Sequence, residues 1–284
     1  MNQLCQPRDK FENEILQQSS HYCRLYTIIY LTLTNLSAMS FFIFSPSKKN
    51  NFKLPFKVWI PYSLNSRALY FLTYIHQGLS TILAVCVTSS VETLALVIIL
   101  QICAQYEMLI YRLNLLPELS KKNYSKLLTY QMESKILKDC VNHHIHIFSI
   151  AEKLNELFSF VIFAQYFASM TTLCTVTFQL SKLSSFDSKS WGLISVLLSS
   201  LMQIFLYCSV GETIMTKSLA IMEKIYEIKW SMITNRTKRD LIVIMIRASR
   251  PVKFMGFKMV IMSIDTFVQS VKMAFSAYNL LKGF

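Results

Sequence analysis

Five long apolar stretches dominate the chain: Leu25 to Phe44, Tyr70 to Ile102, Leu157 to Leu180, Trp191 to Val210 and Met259 to Leu281. Crossing a hydrocarbon core about 30 Å thick takes ~20 such residues in a helix, because only a backbone whose hydrogen bonds close internally survives there. Each stretch meets that length, and the second exceeds it, so it tilts or projects beyond the bilayer at one end. "LIVIMI" at 241–246 is too short to cross. Between the runs, Ser120 to Glu156 has apolar residues at helical spacing, charges opposite them and no proline. That pattern predicts an amphipathic helix continuing into the third crossing. Pro251 predicts a break in the helix that precedes the last crossing. The fold expected is all-α and polytopic: a helical bundle with five transmembrane helices, a cytoplasmic tail over residues 1–24 and a cytoplasmic helical anchor region.

Composition supports this reading. Of 284 residues, 53% are hydrophobic and 16% charged, which excludes a disordered chain. A net charge of +13 would direct a soluble protein toward nucleic acid, but the basic residues do not interleave with aromatic ones as a base-stacking groove requires. No nucleic-acid partner is expected. In a membrane protein, Lys and Arg mark the cytoplasmic loops. Twenty lie in the N-terminal tail and the 107–156 and 211–258 loops, against seven in the 45–69 and 181–190 loops. This predicts a cytoplasmic N-terminus and an outside C-terminus. The sequons at Asn123 and Asn235 then fall on the cytoplasmic side and are expected to stay bare. The polar, mixed-charge start lacks a signal-peptide pattern, so the first crossing is expected to do its own targeting.

Other chemistry is sparse. The seven cysteines have no metal-ligand spacing and read as buried thiols. His143, His144 and His146 in "HHIH" point in different directions on a helix, so helix packing is the expected role and no metal site is predicted. No phosphate-cradling glycine loop, nucleophile elbow or carboxylate pair is present in the sequence, so neither enzyme activity nor a cofactor is expected.

The last run is unusual. Asp265, Gln269, Lys272, Ser276, Asn279 and Gly283 recur at steps of four and three, forming one polar seam along a helix. Asp265 and Lys272 are two turns apart, about 10 Å, too far for a close ion pair. A charge at mid-membrane costs about 2.5–3.5 kcal/mol on insertion scales, so the seam must face something other than lipid. Packing against other helices is one solution. Lining water is the other, and it requires an oligomer, because one helix cannot surround a pore. Glu92, the other acid inside an apolar run, is expected to pair with a neighbouring helix.

Several segments together carry a family resemblance: "LPFKVWIPYS" (54–63), "QYEMLIYRL" (105–113), "LFSFVIFAQYFASMTTLCTVTFQL" (157–180), "QIFLYCSVGETIMTKS" (203–218), "YEIKW" (226–230), "IRASRPVKF" (246–254) and "MSIDTFVQSVKMAFSAYNLL" (262–281). In order and spacing the chain resembles the insect odorant receptors. The resemblance implies a seven-helix fold, of which these five crossings correspond to the third through seventh. It also implies a ligand-gated cation channel in the plasma membrane of olfactory sensory neurons, assembled as a heterotetramer with a shared co-receptor. The end of the last helix would line the pore at Leu280, Gly283 and Phe284, with Gln269 and Ser276 further along that wall. Overlap of this face with the seam, which Asp265, Lys272 and Asn279 complete, favours the water-facing solution.

The family's pocket for small apolar volatiles lies in the outer half of the membrane, among its second, third, fourth and sixth helices. Phe41, Phe42, Tyr70, Tyr74 and Trp191 are the candidate lining, with an interfacial aromatic belt as the alternative for each. The 107–156 and 211–258 segments would form the anchor where subunits meet. A truncated, non-conducting isoform and a gustatory-receptor-like channel are the competing readings. An unrelated transporter would show an internal repeat, which the sequence lacks.

Overall fold

The computed structural model describes residues 5–43, 54, 56, 58–61, 66–120, 126–182 and 188–282. Among these, α1 (Lys10–Ile43), α2 (Arg67–Asn114), α3 (Leu116–Ser120), α4 (Lys126–Ser181), α5 (Ser188–Glu227), α6 (Asn235–Ala248) and α7 (Ile264–Lys282) account for most of the described residues. An antiparallel hairpin, β1 (Met255–Gly256) and β2 (Val260–Ile261), joins α6 to α7. Of the described helices, three are long and apolar enough to cross a membrane, namely α2, α4 and α5. The first and last apolar runs lie in α1 and α7. The last helix starts at Ile264 rather than at Met259, because the intervening residues form the hairpin. Pro251 lies just beyond the end of α6, where a helix-breaking residue was expected.

The chain divides into two compact units. The first comprises Met1–Arg24, Ala95–Phe163 and Tyr207–Thr266. Here the amphipathic start of α4 buries Leu137, Cys140, His143, Ile147, Ala151 and Leu154, at steps of three and four, while Lys135, Lys138 and Lys153 remain exposed. Residues 10–24, expected as a tail, are helical and anchored. Glu12 is only 1% exposed and receives two hydrogen bonds from Arg112, Nε to Oε1 at 2.7 Å and Nη2 to Oε2 at 2.9 Å. A buried guanidinium needs its remaining donors occupied. Arg112 Nη2 also donates to the Gln6 carbonyl at 3.1 Å, and Nη1 lies 3.3 Å from His143 Nδ1.

The other ring nitrogen of His143 lies 2.9 Å from Gln105 Oε1. With Nδ1 accepting from a guanidinium, the imidazole proton sits on Nε2 and the ring is neutral. Burial first, and then the charge of Arg112, lower its pKa to about 4. His144 meets Tyr106 edge-on at 6.4 Å. These two histidines therefore serve the packing between α4 and α2. At the start of α6, Glu133 Oε2 accepts from the Thr234 backbone N–H and from the hydroxyls of Thr234 and Thr237, capping that helix from α4. All seven cysteines are free thiols, four of them buried, and burial raises the pKa of Cys140 to about 12. Asn235 is exposed at the first position of α6, whereas Asn123 lies outside the described residues.

The second unit comprises Leu25–Leu94, Ala164–Leu206 and Phe267–Phe284. Its helices are joined by neutral groups. Thr34 of α1 meets Ser89 of α2 at 3.2 Å, and Ser199 of α5 donates to Ser37 of α1 at 3.2 Å, with Ser40 and Ser195 hydrogen-bonded one turn away. Among the unit's described residues the one buried acid is Glu92, which pairs as expected with neighbouring helices. It accepts from the Tyr30 hydroxyl of α1 and from Gln203 Nε2 of α5 at 2.8 Å. Gln203 in turn accepts from Ser169 of α4 at 2.9 Å, so four helices converge on one carboxyl group.

Candidate functional site: the exposed face of the last helix

The start of α7 is closely specified within the first unit. Gly211 of α5 packs so tightly against Met262 that any Cβ there would collide with the Met262 carbonyl. Only glycine fits. The next residue, Glu212, accepts from the Ile264 backbone N–H at 3.4 Å. Ser263 Oγ accepts from the Thr266 N–H at 3.3 Å, a side-chain cap on the first turn. The "VGET" motif of α5 thus fixes where the last helix begins.

Within the second unit, one face of α7 packs. Phe267 meets Phe205 edge-on at 5.5 Å, Ser270 is buried and hydrogen-bonds the Tyr166 hydroxyl at 2.6 Å, and Ala274 is buried four residues on. The polar seam lies on the other face. Asp265, Gln269, Lys272, Ser276 and Asn279 are all exposed. Leu280 is 67% exposed, and Gly283 and Phe284 lie outside the described residues. No ion pair joins Asp265 or Lys272 to another described residue. Within this chain, then, the described residues of the seam are not buried in helix packing.

The aromatic candidates separate into a group and an outlier. Phe42 is buried, meets Tyr74 edge-on at 6.0 Å and Phe56 at 5.9 Å, and accepts the Tyr74 hydroxyl on its carbonyl at 2.9 Å. Tyr70 adjoins Tyr74 at 6.3 Å. Phe41 is a helical residue whose side chain lies outside the described ones. Trp191, 58% exposed, makes no ring contact with the group. Beside this group is an open cleft of about 380 Å³ whose lining includes Phe56, Trp59, Thr73, His76 and Gln77. Gln77 holds its rim, donating to the Phe56 carbonyl at 3.2 Å and accepting the Phe56 N–H at 3.4 Å. Gln77, like Tyr30 and Gln203, is a polar residue inside an apolar run, and that is the signal by which sequence could have found it.

The fold and this site define a polytopic all-α membrane protein. Residues 2–275 match the family described as 7tm Odorant receptor, and the chain belongs to that family. Odorant receptor 9a of Drosophila melanogaster is 27% identical over 82% of this chain and 56% of its own length; Odorant receptor 13a of the same species is 24% identical, over 82% and 58%. The chain thus spans a little over half the length of these relatives. In fold it is similar to the olfactory receptor OR5 from Machilis hrabei in complex with eugenol, with a TM-score of 0.80 over 98% of this chain and 70% of that one, at 13% identity. The same receptor described without eugenol gives 0.78 over 97% and 69%, also at 13% identity.

Proposed function

We propose that this chain is an odorant receptor subunit of a heteromeric ligand-gated cation channel. In this reading it assembles with a co-receptor as a tetramer in the plasma membrane of olfactory sensory neurons, N-terminus inside and C-terminus outside. The observation that carries the reading is the exposure of the entire described polar seam of α7 while the opposite face packs. A row of acid, amide, lysine and hydroxyl on a membrane helix is costly against lipid and serviceable against water. Gln269, Ser276 and Leu280, with Gly283 and Phe284 beyond them, then line the conduction path. The aromatic group of Phe42, Tyr70 and Tyr74 receives a small apolar volatile, with Phe41 and Trp191 as further candidates for the lining. Ligand affinity that is higher in the open state shifts the gating equilibrium.

The deciding experiment is co-expression with a co-receptor, with cysteines placed singly at Gln269, Ser276 and Asn279. Odour-evoked current that aqueous thiol reagents block at these positions supports the reading. Current that no position affects sinks the pore assignment. Absence of current at normal surface level supports a non-conducting subunit.

A further inference from the structure

The hairpin between α6 and α7 has a feature that its sequence does not announce. Phe257 and Lys258 both adopt left-handed backbone conformations, with φ of 50° and 56°, and the Met259 N–H closes the turn on the Gly256 carbonyl at 3.0 Å. Two-residue turns of this hand normally use Asn and Gly, because a Cβ is disfavoured there. A phenylalanine and a lysine persist in such a conformation only where surrounding contacts fix them. Those contacts come from α4. The Phe257 N–H donates to the Ser159 carbonyl at 3.1 Å and to its hydroxyl at 2.6 Å, and Asn155 Oδ1 accepts the Met255 N–H at 2.9 Å. Gly256 lies so close to the Phe163 backbone that an added Cβ would sit 3.2 Å from it, and the Phe257 ring meets Phe163 at 5.7 Å.

These contacts bring the tip level with the polar-to-apolar boundary of α4, where exposed Glu152, Lys153 and Glu156 give way to the run that starts at Leu157. At that level the tip presents Phe257 and Met259, 56% and 72% exposed, with the exposed Lys258 between them. Arg250 and Lys253 lie on the approach, and none of the three cations has an ion-pair partner among the described residues. Apolar side chains flanking a free cation, beside a membrane boundary, match a lipid interface, with the stems in the acyl margin and the charge among phosphates.

We propose that the Phe257–Met259 turn is a membrane-interface anchor that binds anionic phospholipid headgroups of the adjoining leaflet through Lys258. The proposal rests on reading the 157–180 run of α4 as a membrane crossing. The test uses the full chain in nanodiscs of mixed phosphatidylserine and phosphatidylcholine, with the photo-crosslinker p-benzoylphenylalanine at Met259 and, separately, at Phe167 within the α4 run. Lipid adducts at both positions, with roughly fivefold enrichment of phosphatidylserine over its bulk share at Met259 only, are expected. Lys258→Asn, which suits the left-handed turn and removes the charge, should return that ratio to parity. Adducts at Phe167 without any at Met259, or adducts of Met259 to another polypeptide, overturn the anchor alone. Equal capture of both lipids at Met259 overturns headgroup recognition. No lipid adduct at either position overturns the α4 crossing as well.

Discussion

The two units hold their helices together by different chemistry. In the first, a buried ion pair joins Glu12 to Arg112, and the Glu133 carboxyl group caps the start of α6. In the second, hydroxyls and amides form the links, and Glu92 is the one acid among its described buried side chains. Charges are tolerated where water or a rigid partner solvates them, and the penalty for an unpartnered charge rises steeply in hydrocarbon. The contrast shows which part of the chain must satisfy its polar groups without relying on solvent.

Substitutions probe this contrast in order of expected size. Arg112→Met leaves Glu12 as an uncompensated buried charge and should destabilise the protein by about 3–5 kcal/mol, while Glu12→Met/Arg112→Met should recover much of that loss. Thermal unfolding in detergent reads both, and a double variant no better than the single one would show that the pair is not coupled. Second is a pH effect in the first unit. His143 is neutral when folded and has a depressed pKa, so the unfolded chain takes up its proton first as pH falls. Stability from this residue is complete above about pH 6.5 and declines down to about pH 4, by at most ~3 kcal/mol. His143→Gln should flatten the curve in that window.

In the second unit, Glu92→Leu removes the acceptor of Tyr30 and Gln203 and should cost about 2–3 kcal/mol, whereas Glu92→Gln, which can still accept, should cost about 1 kcal/mol. Equal losses for the two would point to packing rather than hydrogen bonding. The smallest stability effect belongs to the exposed seam. Ser276→Ala and Asn279→Ala should change the melting free energy by less than about 0.5 kcal/mol. Their effect should appear in ion conductance instead.

The helical runs, the amphipathic segment of α4 and the seam of α7 were legible because periodicity and length act locally. Glu92 was legible as a misplaced acid, but its partners Tyr30 and Gln203 were not, since nothing in a sequence states which distant turns meet. Arg112 reaches Glu12 across 100 positions for the same reason. Residues 10–24 read as a tail because their charges hide a buried face. The hairpin escaped altogether: Phe257 and Lys258 lack the turn signature, and the contacts that impose it come from Asn155, Ser159 and Phe163 on another helix. Among the aromatic candidates, Phe42, Tyr70 and Tyr74 are neighbours in the structure, but residue type and position along the chain had no means of separating them from Trp191.

The seat of α7 has a mechanical corollary. Its described contacts in the second unit include the aromatic edge of Phe267 on Phe205, the hydroxyl pair of Ser270 and Tyr166, and buried Ala274, so the side chains at 270 and 274 are small. Such a smooth bearing offers little steric resistance to rolling, and the hydrogen bond between Tyr166 and Ser270 acts on it as a detent. Small torques would then suffice to roll the helix about its own axis.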